Sequence, residues 1–161
     1  LLHYDGDEYL CAAAAFEAAK IANRRDRVSF IGWNVLPWAV PRLARNIPKN
    51  WVRTDWSAVQ HDIMLEIQRS KFSWPELRAR LADIGDAELV YGNINHDNVW
   101  GVCMCQSVDP LKRIRGLNPL CTGHGSNHLG HILMRVAQEC RLGFHCAPVA
   151  PTCGQPVLAA A

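Results

Sequence analysis

The sequence predicts a mainly α fold, α+β with a few short strands, in one compact domain. Four segments place apolar residues at helical spacing or carry high helix propensity beside start and stop residues, while only two short runs read as strands. The chain has 161 residues, 49% hydrophobic and 20% charged, which is the profile of a folded globule with one core. Domains usually run about 100 to 150 residues, so a second is not expected. The domain is placed at residues 1–154, and residues 155–161, with Val157 to Ala161, are set aside as a tail or vector remnant. The chain starts at Leu1 and not at Met, so some N-terminal sequence is expected to be missing.

The first helix is expected over residues 9–24, a run of Ala, Phe, Glu and Lys uninterrupted by Gly or Pro. Ala13, Glu17 and Lys20 fall along one face of it, because residues three and four apart are neighbours on a helix. Residues 32–51 hold Pro37, Pro41 and Pro48 among tryptophans, so any helix there is short and the segment packs as an irregular cover. A second helix is expected over residues 55–70, capped by Thr54 or Asp55, with Val59, Ile63 and Ile67 on its inner stripe. A third is expected over residues 74–84. Its signals are a capping box of Ser73 and Glu76, Pro75 in the first turn, Leu77 and Leu81 on the buried face, and Gly85 as the stop. Ala87 to Tyr91 and Val99 to Met104 read as short strands, and Asp109 to Ser126 as loop. The last helix is expected over residues 127–142, opened by Asn127 and ended by Gly143, with Leu129, Leu133, Val136 and Cys140 inward.

Seventeen Lys and Arg against fifteen Asp and Glu give a net charge of +2, too small for the whole molecule's field to hold nucleic acid. Basic residues cluster at Arg24, Arg25 and Arg27 and at Lys112, Arg113 and Arg115, where solvated surface is the ordinary reading. Seven cysteines without CxxC spacing, and no signal-peptide pattern, fit a reduced, cytoplasmic setting. No apolar stretch reaches the roughly 18 residues of a membrane span, so no membrane partner is expected.

Four ordered segments, from Tyr4 to Lys20, from Trp56 to Phe72, from Leu77 to Gly101 and from Gly125 to Met134, resemble the NADAR/YbiA-like N-glycosidase family. Tyr4 to Gly6 and Tyr9 precede Phe16, Glu17, Ala18 and Lys20, where the family carries an aromatic, a Gln, an Ala and a Lys. Trp56, Met64, Lys71 and Phe72 follow. Leu77, Leu81, Gly85, Asp86, Leu89 and Val90 then lead to Asp97, Val99, Trp100 and Gly101, similar to the family's Asp-x-x-Trp-Gly. Gly125, Asn127, Leu129, Gly130, Leu133 and Met134 are similar to its Gly-x-Asn-x-Leu-Gly and Leu-Met. The set spans residues 4–136, and no single motif in it is specific. The resemblance implies a mainly helical fold and cleavage of N-glycosidic bonds. Family members act on ribosylated pyrimidine intermediates of riboflavin synthesis or remove ADP-ribose from guanine in nucleic acid.

Breaking a ribose–nitrogen bond builds positive charge on the sugar, which a nearby carboxylate stabilises while it also orients or deprotonates water. With the resemblance, Asp97 is the candidate carboxylate, and the alternative is that it caps a turn. Trp100 offers a flat face to a base, or else fills the core; Phe16 and Gly101 are grouped with it as substrate-binding. Lys20 can hold a phosphate as a cation or attack an opened ribose aldehyde as an amine, or it is an exposed helix lysine. Gly125 and Asn127 precede a helix whose free amides favour an anion, or they are a turn and an N-cap. The chain departs from the family at Ala13 and Ala14, where members carry a Glu-His pair. Alanine moves no proton, so Glu17, one turn from Ala13, becomes a substitute carboxylate.

The expected partner is therefore ADP-ribosylated guanine, in nucleic acid or as nucleoside, or a phosphorylated ribosylaminopyrimidine, with no cofactor. A second reading is a catalytically impaired module that binds ADP-ribose or a nucleotide. A third is a zinc-binding structural domain built on Cys121, His124, His128 and His131, since thiolate and imidazole are favoured zinc ligands.

Overall fold

The computed structural model describes residues 1–32, 34–93, 96–104 and 124–143. It opens with a hairpin of β1 (Leu2–Tyr4) and β2 (Asp7–Tyr9), paired antiparallel with Leu2 opposite Tyr9. The two-residue turn between them is Asp5-Gly6, with φ of 49° and 77°, a pair of left-handed conformations that matches the twist of the strands. The helix expected from residue 9 therefore starts later, because Tyr9 is committed to the hairpin. It is α1 (Ala12–Ala19), which buries Ala14, Ala15, Phe16, Ala18 and Ala19.

Backbone pairing ends α1 where propensity alone would have continued it. The Lys20 carbonyl accepts from the Arg53 amide at 2.9 Å, and Ile21 bridges to Val52. Asn23 then caps a new helix, α2 (Arg24–Phe30), accepting from the Arg25 amide at 2.9 Å. Arg27 is 6% exposed. Its guanidinium meets the Asp5 carboxylate at 2.5 Å and donates to the Ile21 carbonyl, so it ties the hairpin turn to the start of α2. Arg24 pairs with Asp7 at 2.6 Å. The proline-rich segment forms a 3₁₀ turn at Pro37–Ala39, α3 (Val40–Arg45) and another 3₁₀ turn at Lys49–Trp51, the short pieces expected of it.

The central element is α4 (Trp56–Lys71), which packs on β1, on α1 and on α6 (His128–Arg141). It buries Ile63, Met64, Leu65, Ile67 and Gln68, a wide arc that serves all three neighbours. Each buried Leu or Ile there contributes about 1.5–3 kcal/mol. Asp55 precedes α4 without capping it. Its carboxylate is held by Arg53 at 2.6 and 2.9 Å, which keeps it below the usual carboxylate pKa.

Next comes α5 (Pro75–Ala82), with Leu81 buried against α6. The capping box expected there does not form: Ser73 donates to the Ser70 carbonyl, and Trp74 occupies the N-cap position. Gly85 and Gly143 both adopt positive φ past the ends of α5 and α6, as expected of stop residues. Arg69 on α4 and Glu139 on α6 form a bidentate pair at 2.8 and 2.6 Å, which lowers the Glu139 pKa.

The expected strand at residues 87–91 is displaced along the chain. The pairing is β3 (Gly92–Asn93) with β4 (Val102–Cys103), parallel and two residues long. Residues 87–91 are held by other means, described below. Most of the loop expected at 109–126, the basic cluster at 112–115 and the tail at 155–161 lie outside the described residues. No described helix is long and apolar enough to cross a membrane.

Candidate active site

On α1, Glu17 and Lys20 are one turn apart and half-buried, with Oε2 and Nζ at 2.6 Å. The buried Oε2 has no hydrogen bond of good geometry, so the ammonium is its counter-ion without satisfying it as a donor. Lys20 Nζ also lies 5.6 Å from the ring centres of both Phe16 and Trp56. A cation so placed is attracted by the ring faces. The departed positions separate sharply. Ala13 is exposed one turn before Glu17, while Ala14 is fully buried in the core.

Phe16 is the hub of an aromatic group drawn from three parts of the chain. Trp56 of α4 meets it at 4.9 Å, and Trp100 meets it edge-on at 5.0 Å and 82°. Trp100 continues to His61 at 5.2 Å, and His61 to His128 at 4.5 Å. Nε2 of His61 is buried without a hydrogen-bond partner. Thus Lys20 and Trp100 are brought together through one ring. Trp100 itself is half-buried, packed against the core along one side.

Asp97 enters this group through the backbone of Trp100. Its Oδ1 accepts from the Trp100 amide at 2.9 Å and the Val99 amide at 3.2 Å, and its main chain exchanges two bonds with the Asn93 side chain. The carboxylate therefore shapes the turn that aims the indole. Directly after that turn, a Cβ on Gly101 would collide with the Tyr91 carbonyl, and one on Gly125 with the Gly101 carbonyl. Two backbone segments meet at these glycines.

That meeting corrects the expectation of free amides at the start of α6. Ser126, His128 and Leu129 donate to the carbonyls of Asn98, Val99 and Trp100 at 2.8, 3.3 and 3.0 Å. Nor does Asn127 cap the helix. It sits at φ 50°, buried, with Oδ1 accepting from the Tyr91 amide at 3.0 Å and Nδ2 donating to the Leu89 carbonyl at 2.8 Å. The side chain thus replaces strand pairing for residues 89–91.

The four side chains of the zinc reading are only partly described. His128 turns toward His61 and Trp100, His124 and His131 are exposed, and Cys121 lies outside the described residues. Among the described residues no three His, Cys, Asp or Glu side chains gather as a metal site would require.

His61 has no place in any site expected from sequence, His128 figures there only as a zinc ligand, and Trp56 only as a family match. The signal for His61 is its position three residues before Met64 and four before Leu65, which puts it on the buried arc of α4. The stripe of Val59, Ile63 and Ile67 alone does not reach it.

Residues 2–141 match the NADAR domain family. The NMR structure of the E. coli protein YbiA is similar to this fold, with a TM-score of 0.67 and 26% identity over 88% of this chain and 73% of that one. No curated protein matches the chain.

Proposed function

The chain belongs to the NADAR domain family, and on that premise we propose that it hydrolyses a ribose-to-base N-glycosidic bond. The substrates proposed are ADP-ribosylated guanine and a phosphorylated ribosylaminopyrimidine. The observation that carries the reading is the Glu17–Lys20 pair at 2.6 Å against the Phe16 and Trp56 rings. A carboxylate and a cation beside flat faces are what the bond's cleavage calls for: charge to stabilise the ribosyl cation, a donor for phosphate, and a platform for the base. Water adds to C1 of the ribose, the C1–N bond breaks, and the base leaves with its electron pair and a proton.

In this reading Asp97 and Glu17 are the candidate carboxylates. Asp97 uses Oδ1 on the turn, so Oδ2 is its atom for chemistry, while Glu17 supplies the carboxylate lost at Ala13. Lys20 holds phosphate, the half-buried Trp100 faces the base with the buried Phe16 ring supporting it from behind, and Gly101, Gly125 and Asn127 fix the wall behind Trp100. A second reading, a binder of ADP-ribose or a nucleotide that no longer cleaves, is favoured by the bare Ala13 surface beside Glu17.

The two are separated by incubating the protein with ADP-ribosylated guanosine, NAD and ribosylaminopyrimidine phosphate and following free base by mass spectrometry. Base release that disappears in Asp97→Asn or Glu17→Gln supports the hydrolase and names its carboxylate. Saturable binding of the same compounds without release supports the binder.

A further inference from the structure

Residues 27–54 contain no Asp or Glu, in a chain whose net charge is only +2. Of the five cations in that stretch, Arg27 is neutralised by Asp5 and Arg53 by Asp55. Arg42, Arg45 and Lys49 are exposed and form no ion pair among the described residues. Just ahead of them stands Trp38, 76% exposed, the most open of the large apolar side chains among the described residues.

These residues share a side of the molecule for a helical reason. The 3₁₀ turn at Pro37–Ala39 runs directly into α3, so Trp38, Arg42 and Arg45 succeed one another at intervals of four and three on the outer face. Val40, Leu43 and Ile47 form the inner face against the core. The helix α3 packs on α1, which carries Glu17 and Lys20. An indole left in water ahead of three unpaired cations gives up apolar burial and charge pairing together, with no compensation among the described residues.

We propose that Trp38, Arg42, Arg45 and Lys49 form a docking strip for single-stranded nucleic acid, the indole stacking on an unpaired base and the cations contacting phosphates. The seven helical rises from Trp38 to Arg45 extend about 11 Å, the length of about three stacked nucleotides. The open indole face selects single strands over duplex, where bases are already stacked. A membrane surface is disfavoured because the apolar side of α3 is spent on the core, leaving no broad apolar face to insert. The strip stands apart from the catalytic reading, and a protein that releases no base leaves it unaffected.

The test is fluorescence anisotropy with a labelled oligothymidine of about 12 nucleotides, against a duplex of equal length, a polyglutamate peptide and phosphatidylserine vesicles. The oligothymidine is expected to bind tightest, with a log–log salt slope of about −2 for three phosphate contacts. Trp38→Ala weakens it by about 5- to 150-fold while leaving the slope in place. Arg42→Gln, Arg45→Gln and Lys49→Gln each flatten the slope by about 0.7. All four side chains are exposed, so thermal melts should match the parent; Trp38→Gln serves if the alanine variant does not fold. Equal or tighter binding to polyglutamate or vesicles, or an unchanged slope in the triple Gln variant, overturns the proposal.

Discussion

Gly125 packs against the carbonyl of Gly101 so closely that a Cβ at Gly125 has no space. The obstacle is backbone on both sides, which cannot swing away as a side chain end would. Gly125→Ala should therefore cost about 2 to 3 kcal/mol, read from urea unfolding, and shift the near-ultraviolet signal of Trp100. A variant as stable as the parent would mean that the two segments do not touch.

Asn127 gives a sharper contrast, because its two possible roles rank the same substitutions differently. An N-cap would accept Asp in place of Asn with little loss. The bridge to Tyr91 and Leu89 needs a donor as well as an acceptor, and Asp supplies only the acceptor. Asn127→Asp should thus destabilise the protein about as much as Asn127→Ala, by about 2 kcal/mol. An Asp variant of parental stability would restore the cap.

The elements that sequence locates well are those stabilised by their own periodicity: α4, α5 and α6 all lie within a residue or two of expectation. The misplaced boundaries have long-range causes. Tyr9 leaves α1 for Leu2, and Lys20 and Ile21 end it by pairing with residues 52 and 53. The Asp5-Gly6 turn is a local hairpin signal that the sequence reading passes over, and α2 is hidden because Asn23 lies inside a helix-forming run. At the site, Lys20, Phe16 and Trp100 come from the family resemblance, and Glu17 from its helical spacing to Ala13. Helical spacing puts His61 on the buried arc of α4, and Trp56 is a family match, but which rings the two meet depends on how α4 rotates against α1.

Tyr9 makes the stability of the hairpin sensitive to alkali. Burial, with help from the Asp7 charge, pushes its phenol up to about 12 against the lowering pull of the neighbouring Arg27 guanidinium. Below about pH 10 the folded and unfolded chains both keep the proton. Between about pH 10 and 12 only the unfolded chain gives it up, so stability falls as pH rises through that window. Tyr9→Phe should remove this part of the alkaline loss. Identical pH–stability curves for the two proteins would place the phenol in contact with water.

The two departed positions should respond oppositely to restoration of the family residues. Ala13 is exposed on the face of α1 that carries Glu17, so Ala13→Glu should be nearly neutral for stability, the new charge repelling Glu17 by only a few tenths of a kcal/mol. Ala14 is fully buried, and the space around it has closed on a methyl group. Ala14→His must force an imidazole into that core, at about 2 to 3 kcal/mol, unless its neighbours are enlarged or trimmed with it. If the proposed hydrolysis uses a carboxylate at the first position, Ala13→Glu should raise base release by about 10²- to 10⁴-fold, the usual worth of acid–base assistance. The histidine variant should gain nothing at a temperature where it is partly unfolded. Measured together, rate and melting temperature separate the causes: a stable Ala13→Glu protein without added rate would assign the carboxylate's work to Glu17 or Asp97. A fully stable Ala14→His protein would show that the core beside Phe16 still has room for the ring.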